Sequence, residues 1–382
     1  MVSFLVFFFL IYGGAHAYAF MRIATGLRPG WRSGLPLAML FLFMVFAPLF
    51  VHYLERSGYN IPARSLSYIG YTWMGVMFLF VCISLVVDFY RVGLWIAGLV
   101  MRNDLMHLEI PPRLSVHIPI VLALLISVYG YFEAKNIRVE KVSIATSKLP
   151  PEMEKLRIVQ ISDVHLGLIV REKRLRLILD KVREAGPDLL VSTGDLVDGE
   201  INRLPGLAEM LGGINPPYGK YAITGNHEYY AGLPRALDFT EKAGFTLLRG
   251  KAVSAGPINI AGVDDLTVRY YGIKEAPEKE LLLSLPRDRF TLFLKHRPVL
   301  DKASLGLFDL QLSGHSHKGQ IFPFSFVTRL YYPTDGGRLD LPEGSVLYVS
   351  RGSGTWGPPI RFLAPPEVTV IDLKNSSFKG EK

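Results

Sequence analysis

The chain has 382 residues, 49% of them hydrophobic, with a formal net charge of +8 and a mean hydropathy of +0.26. It is too apolar for one soluble domain and long enough for two or three units, so part of it is expected in a membrane. A single cysteine, Cys82, excludes a disulfide framework, while the positive balance fits an anionic substrate, an anionic membrane surface, nucleic acid or basic loops flanking membrane spans.

The segments Val2–Met21, Leu35–Leu54, Leu66–Val87 and Leu114–Phe132 contain no Asp, Glu, Lys or Arg. Each is long enough to cross ~30 Å of hydrocarbon as a helix, and the charges cluster between them. Ala15-His16-Ala17 imitates a signal-peptide cleavage site, but no Lys or Arg precedes it and three further apolar segments follow, so it is read as a retained anchor. Val92–Met101, with Trp95, is expected to lie along the membrane surface as an interfacial helix. Span interiors almost free of ionisable groups argue against a transporter. Arg22, Arg28 and Arg32 in the first loop and Arg91, Arg102 and Arg113 in the third place those loops in the cytoplasm and the remainder of the chain outside; Lys135, Arg138, Lys141 and Lys148 pull the other way.

After Glu133 the composition becomes that of a soluble domain. An extended stretch with Val139, Val142 and Ile144 precedes a strand at Leu156–Ser162. An amphipathic helix follows at Arg171–Glu184, then strands at Asp188–Thr193 and Lys220–Thr224, a helix at Leu233–Ala243, and strands at Asp288–Leu294, Phe308–Leu312, Ser345–Ser350 and Glu367–Ile371. The alternation is α/β, in which loops at strand ends are the natural place for a site.

Five consecutive candidate strands end in metal-ligand residue types. They deliver Asp163-Val164-His165, Gly194-Asp195, Gly225-Asn226-His227-Glu228, Lys295-His296 and Gly314-His315-Ser316-His317. The chain has nine histidines, and all five beyond Glu133 fall within these blocks. Mixed carboxylate, imidazole and amide donors without thiolates suit a borderline divalent ion such as Mn, Fe or Zn. Asp195, as the lone carboxylate of its block, is placed to bridge two ions. Asp198, Glu228, Asp264 and Asp265 are read as supporting or turn residues outside the ligand set.

The ordered series D-x-H, G-D, G-N-H-E, H and G-H-S-H, covering about Leu156 to Leu373, resembles the calcineurin-like metallophosphoesterase superfamily, in its membrane-anchored branch. The resemblance implies a two-sheet β-sandwich flanked by helices, preceded here by an all-α transmembrane region. It assigns 1–133 to a membrane anchor, 134–155 to a linker and first strand, and 156–382 to the metallophosphoesterase domain. It implies two divalent ions, Mn first with Fe or Zn as alternatives. One is held by Asp163, His165, Asp195 and His317, the other by Asp195, Asn226, His296 and His315, with His227 as the catalytic imidazole that is not a ligand. A hydroxide between the ions is expected to attack phosphorus. Two departures from the family pattern, Lys318 in place of a second Gly and Lys295 before His296, bear on substrate preference and remove no ligand.

The run Ser350–Arg361 is similar to a branch containing envelope proteins and a pyrophosphatase that hydrolyses UDP-2,3-diacylglucosamine. Arg351, Trp356 and Arg361 are accordingly expected to form an aromatic and cationic lip for the substrate. The expected protein is a multi-pass enzyme of a bacterial cell membrane, its catalytic domain outward, cleaving a phosphate ester or pyrophosphate, lipid-linked by preference. A broad envelope phosphodiesterase or phosphomonoesterase on soluble esters and a non-catalytic scaffold are the alternatives. No nucleic-acid partner is expected, and no protein partner is inferable.

Overall fold

The computed structural model describes residues 6–199 and 206–378; the start of the first expected span (2–5) and the end of the domain (379–382) lie outside them. The chain divides into two compact units. One runs to Phe132 and includes Gly357–Ile360, and the other comprises Glu133–Trp356 and the chain from Arg361 onward.

The first unit contains helices α1 (Gly14–Leu27, continuing a π-helical turn at Phe9–Gly13), α2 (Trp31–Arg56), α3 (Asn60–Met101) and α4 (Leu114–Glu133). Four helices of the described residues, Val6–Leu27, Trp31–Arg56, Asn60–Met101 and Leu114–Glu133, are long and apolar enough to cross a membrane. Left-handed residues close them: Arg28 and Arg102 at C-caps and Gly58 just beyond α2. The expected interfacial helix at Val92–Met101 is instead the continuation of α3, because Asp88-Phe89-Tyr90-Arg91 holds no helix breaker. Close approach relies on small residues: a Cβ on Gly70 would come within 3.1 Å of the Ala47 Cβ. At the ends of two of the apolar runs, Arg22 bridges to Asp88 and Tyr18 donates to Asp88 at 2.5 Å.

In the second unit the described strands form two six-stranded mixed sheets. The first is ordered β1 (Arg138–Thr146), β12 (Glu367–Asn375), β2 (Lys155–Ile161), β3 (Leu189–Ser192), β4 (Lys220–Ala222) and β5 (Thr246–Leu247). The second is ordered β10 (Gly337–Asp340), β11 (Val346–Val349), β9 (Leu310–Ser313), β8 (Thr291–Leu294), β7 (Ile258–Gly262) and β6 (Lys251–Ala255). Period-two alternation builds the layers. Ile158, Leu189 and Val191 meet Ile260, Leu292, Leu294 and Leu312 between the sheets. The opposite face of the first sheet, with Val159, Ile161 and Leu190, packs on α5 (Glu172–Ala185), α6 (Leu207–Gly212) and α8 (Leu233–Lys242). Phe293 on the outer face of the second sheet packs with Leu282 of α9 (Glu278–Leu283) and Phe308. Both faces are covered, so the strands read as unbroken apolar runs.

The fold is therefore the expected two-sheet α/β sandwich. The hairpin β6–β7 was not anticipated, although Gly256-Pro257 marks its turn. The Gly225-Asn226-His227-Glu228 stretch opens a short helix, α7 (Asn226–Tyr230), where a loop was expected. Strands β2, β3 and β4 are parallel to one another, as are β8 and β9, so their C-terminal ends present the ligand-type residues.

Candidate metal centre

The side chains converge in two groups that share one carboxylate. Ligand atoms of Asp163, His165 and His317 lie within 4.8 Å of one another, as do those of Asp195, His296 and His315, and a third set joins His165, Asp195 and His227. Asn226 enters the second group through Oδ1, 3.3 Å from His296 Nε2. Asp195 Oδ2 lies 3.8 Å from His165 Nε2 and 3.2 Å from His296 Nε2, which makes it the common member. All seven residues expected as ligands are brought together, with His227 beside them.

The backbone is bent to achieve this. Asp163, His165, Asp195, His315 and His317 all adopt φ between 48° and 68°, the left-handed region that residues with a Cβ avoid. Glycine makes the close approaches: a Cβ on Gly225 would fall 2.1 Å from Asp195 Oδ1, and one on Gly314 2.0 Å from Ser162 Oγ. Glu228 fastens the Asp195 turn. Its carboxylate accepts from the N–H groups of Asp195 (3.0 Å), Leu196 (2.7 Å) and Gly225 (2.6 Å). Asp163 accepts from the His315 N–H at 3.0 Å, tying the two sheets together at the site.

The donor chemistry fits divalent ions. His165 Nε2 and His317 Nε2 face each other at 3.0 Å, with Asp163 Oδ1 3.4 Å from the latter. Arg361 Nη2 stands 3.0 Å from Nδ1 of His317 and can only donate, so the neutral His317 carries its proton on Nε2, facing Nε2 of His165, and a cation bound there would take that proton's place. Burial pulls His165 down to about 4, reinforced by the charge of His227, and burial with Arg361 holds His317 far below its ordinary value. Both are therefore neutral, as ligation requires. His296 donates Nδ1–H to Thr193 O at 2.8 Å, which orients Nε2 toward Asp195. Burial disfavours its proton, but Asp195 outweighs that and lifts His296 to about 10. A divalent ion held among these groups would take the place of that attracted proton.

His227 is held differently. Its Nδ1–H donates to Asp198 Oδ1 at 2.9 Å, and its backbone N–H donates to Asp195 Oδ1 at 2.8 Å. Burial lowers its affinity for a proton, but Asp195 and Asp198 together raise it to about 9, so the imidazole is protonated at neutral pH. Its ring stands edge-on to those of Tyr230 at 5.3 Å and Trp356 at 5.7 Å. Trp356, expected at a substrate lip, is 55% exposed there.

Of the other two lip residues, one is held in ion pairs and the other is buried. Arg351 pairs with Glu367 at 2.5 Å and with Glu140. Arg361 is a correction: it is fully buried, because its guanidinium is consumed by backbone carbonyls and by Nδ1 of His317. The supporting reading of the four further acids agrees with their partners. Asp198 and Glu228 act as just described, Asp264 accepts from Thr224 and Arg249, and Asp265 accepts from Arg297 and Thr267.

Residues 156–319 match the family model of the calcineurin-like phosphoesterases. The chain is 42% identical over 256 residues to an uncharacterised metallophosphoesterase of Aquifex aeolicus, covering 66% of this chain and 98% of that protein. It is 29% identical to an uncharacterised metallophosphoesterase of Campylobacter jejuni, covering 97% and 99%. A transmembrane protein with metallophosphoesterase domain from Danio rerio is 34% identical over 67% of this chain and 62% of that protein. With its clustered His and Asp side chains and its membrane-length helices, the chain belongs to the calcineurin-like phosphoesterases, as a membrane-associated, metal-dependent phosphoesterase of a family that binds two divalent ions.

Proposed function

We propose that this chain is a multi-pass membrane hydrolase that cleaves a lipid-linked phosphate ester or pyrophosphate. The observation that carries the reaction is the pair of ligand groups sharing Asp195. Asp163, His165, Asp195 and His317 hold one ion, and Asp195, Asn226, His296 and His315 hold the other. When bound, two such ions, Mn by preference, polarise a phosphoryl oxygen and activate water.

His227 stands outside that ligand set as the general acid. Protonated at neutral pH and steered by Asp198, it gives its proton to the departing oxygen. Trp356 walls the approach and limits water around the leaving group. Residues 1–133 act as the anchor, 134–155 as linker and first strand, and 156–382 as the hydrolase. The charge of the first and third loops favours the outer face of a bacterial cell membrane for the hydrolase. Tethering places a membrane-embedded substrate at high effective concentration.

The test is full-length protein in nanodiscs, stripped of metal and reloaded with Mn, assayed on an aryl phosphate monoester, an aryl diester and lipid phosphoesters and pyrophosphates. Preference for a lipid substrate supports the proposal. Equal turnover of soluble esters assigns the chain to a broad envelope phosphoesterase. Metal-loaded protein inert on every substrate returns the scaffold reading.

A further inference from the structure

Helix α10 (Ser325–Tyr331) is turned inside out. Thr328 is buried, whereas Phe326, Val327, Leu330 and Tyr331 are 59%, 41%, 83% and 78% exposed. Spaced i, i+1, i+4 and i+5, these four side chains form one outward face of the helix. Phe322, 36% exposed, lies just before it. Scattered exposed apolar residues are normal, but four on one face of a two-turn helix make a patch of the kind that marks an interaction surface.

The helix is fixed to the candidate metal centre at both ends. A Cβ on Gly319 would fall 2.4 Å from Ser325 N, so the start of α10 rests on the backbone that follows His317. Beyond its end, the Tyr332 ring is 5.8 Å from that of His315, edge-on. Asp335 joins the two sides, accepting from Ser316 Oγ through its carbonyl at 2.9 Å and from Arg329 Nε through its carboxylate at 3.0 Å. Whatever seats on the outward face is thereby held close to His315 and His317.

The bilayer is the occupant that the chain itself supplies. The residues 134–137 that join α4 to β1 extend at most about 14 Å, so the start of β1 cannot leave the neighbourhood of a bilayer that α4 crosses. The face combines the features of an interfacial helix: Phe and Leu to enter the acyl boundary, Tyr331 to sit at headgroup depth, and Arg329, 60% exposed, to meet lipid phosphates. We infer that the outward face of Ser325–Tyr331, with Phe322, seats in the headgroup and acyl boundary of the bilayer. The metal centre then receives phosphoesters whose lipid chains remain in the membrane. The surface stands on the exposed helix alone; the identity of the substrate rests on the phosphohydrolase reading above.

The test uses the full chain carrying Cys82→Ala and Leu330→Cys, labelled with bimane in nanodiscs of phosphatidylcholine and phosphatidylglycerol. The comparison is the same label at Lys242→Cys, an exposed position of α8. Quenching by doxyl-labelled lipid with protection from aqueous iodide is expected at position 330 and the reverse at 242. Equal iodide quenching at both, with none by doxyl lipid, overturns the inference. In a second arm, Leu330→Glu with Tyr331→Glu lowers the ratio of lipid-phosphoester to aryl-ester turnover about tenfold or more, in keeping with the apolar area withdrawn from the bilayer. An unchanged ratio overturns the role in substrate delivery. If label 330 is quenched by lipid while the unmodified chain hydrolyses only soluble esters, the surface stands and the lipid-substrate reading falls.

Discussion

Nη2 of Arg361 lies 3.0 Å from Nδ1 of His317, and the same guanidinium donates to the carbonyls of Gly354, Arg351 and Ala364. One buried side chain thus gathers the loop that backs the imidazole of His317, a candidate ligand. Arg361→Met leaves these acceptors unpaired and is expected to destabilise the domain by ~3 kcal/mol or more, with reduced metal retention. Arg361→Lys should rescue little, because a point charge cannot fill a planar fork. Thermal unfolding and metal content after gel filtration read both outcomes.

With His227 acting on the leaving group as proposed, His227→Ala should retain both ions and lose about 10²-fold or more in turnover. Loss of metal in this variant would move His227 into the ligand set. Asp198→Asn, which weakens the hold on Nδ1, should lower kcat about tenfold with KM little changed.

Asp195 contacts both groups, so Asp195→Asn should weaken both ions together and abolish turnover. Metal analysis should show the content of the variant falling well below that of the unmodified protein. Chelation of the unmodified enzyme should give the same inactive state, reversed by added Mn. Full recovery of the variant by excess Mn would instead confine Asp195 to tuning affinity.

Arg157 and Asp372 are cross-strand partners on β2 and β12, and the guanidinium meets both carboxylate oxygens at 2.7 and 3.0 Å. The hydrogen bonds from Arg157 hold the Asp372 carboxyl below its ordinary value. Its folded value thus lies below the unfolded one of about 3.9. The stabilisation is complete above that pH and fades as pH falls through the folded value. Asp372→Asn should cost about 0.5–1 kcal/mol at pH 7 and nothing once the folded carboxyl is protonated. Denaturant unfolding across the acid range measures it, and an equal cost at every pH would remove the charge from the account.

The sandwich and the gathering of the ligand-type residues were legible because both rest on local signals: apolar runs mark the strands, and strand ends marked by Gly, Asp and His mark the loops. Arg361 was not, since an arginine in a Gly/Pro-rich loop reads as a solvent-facing cation until the carbonyls that converge on it are seen. Glu228 could be read as supporting, but its four backbone donors come from two separate strand ends and leave no local trace. Val92–Met101 was separated from α3 because its apolar run follows charged residues, although charge does not break a helix. The outward face of α10 was not anticipated, because apolar residue types alone do not say which side of a short helix faces in; the burial of Thr328 shows it.

The left-handed turns at Asp163, His165, Asp195, His315 and His317 set folding against chemistry. Each such residue carries a conformational penalty of about 1–3 kcal/mol that glycine would relieve, yet glycine there has no ligand to offer. A lineage released from catalysis should therefore drift toward glycine at these five positions and grow sturdier as it loses activity. A chain that still carries Asp and His at all of them retains the mark of selection for the reaction.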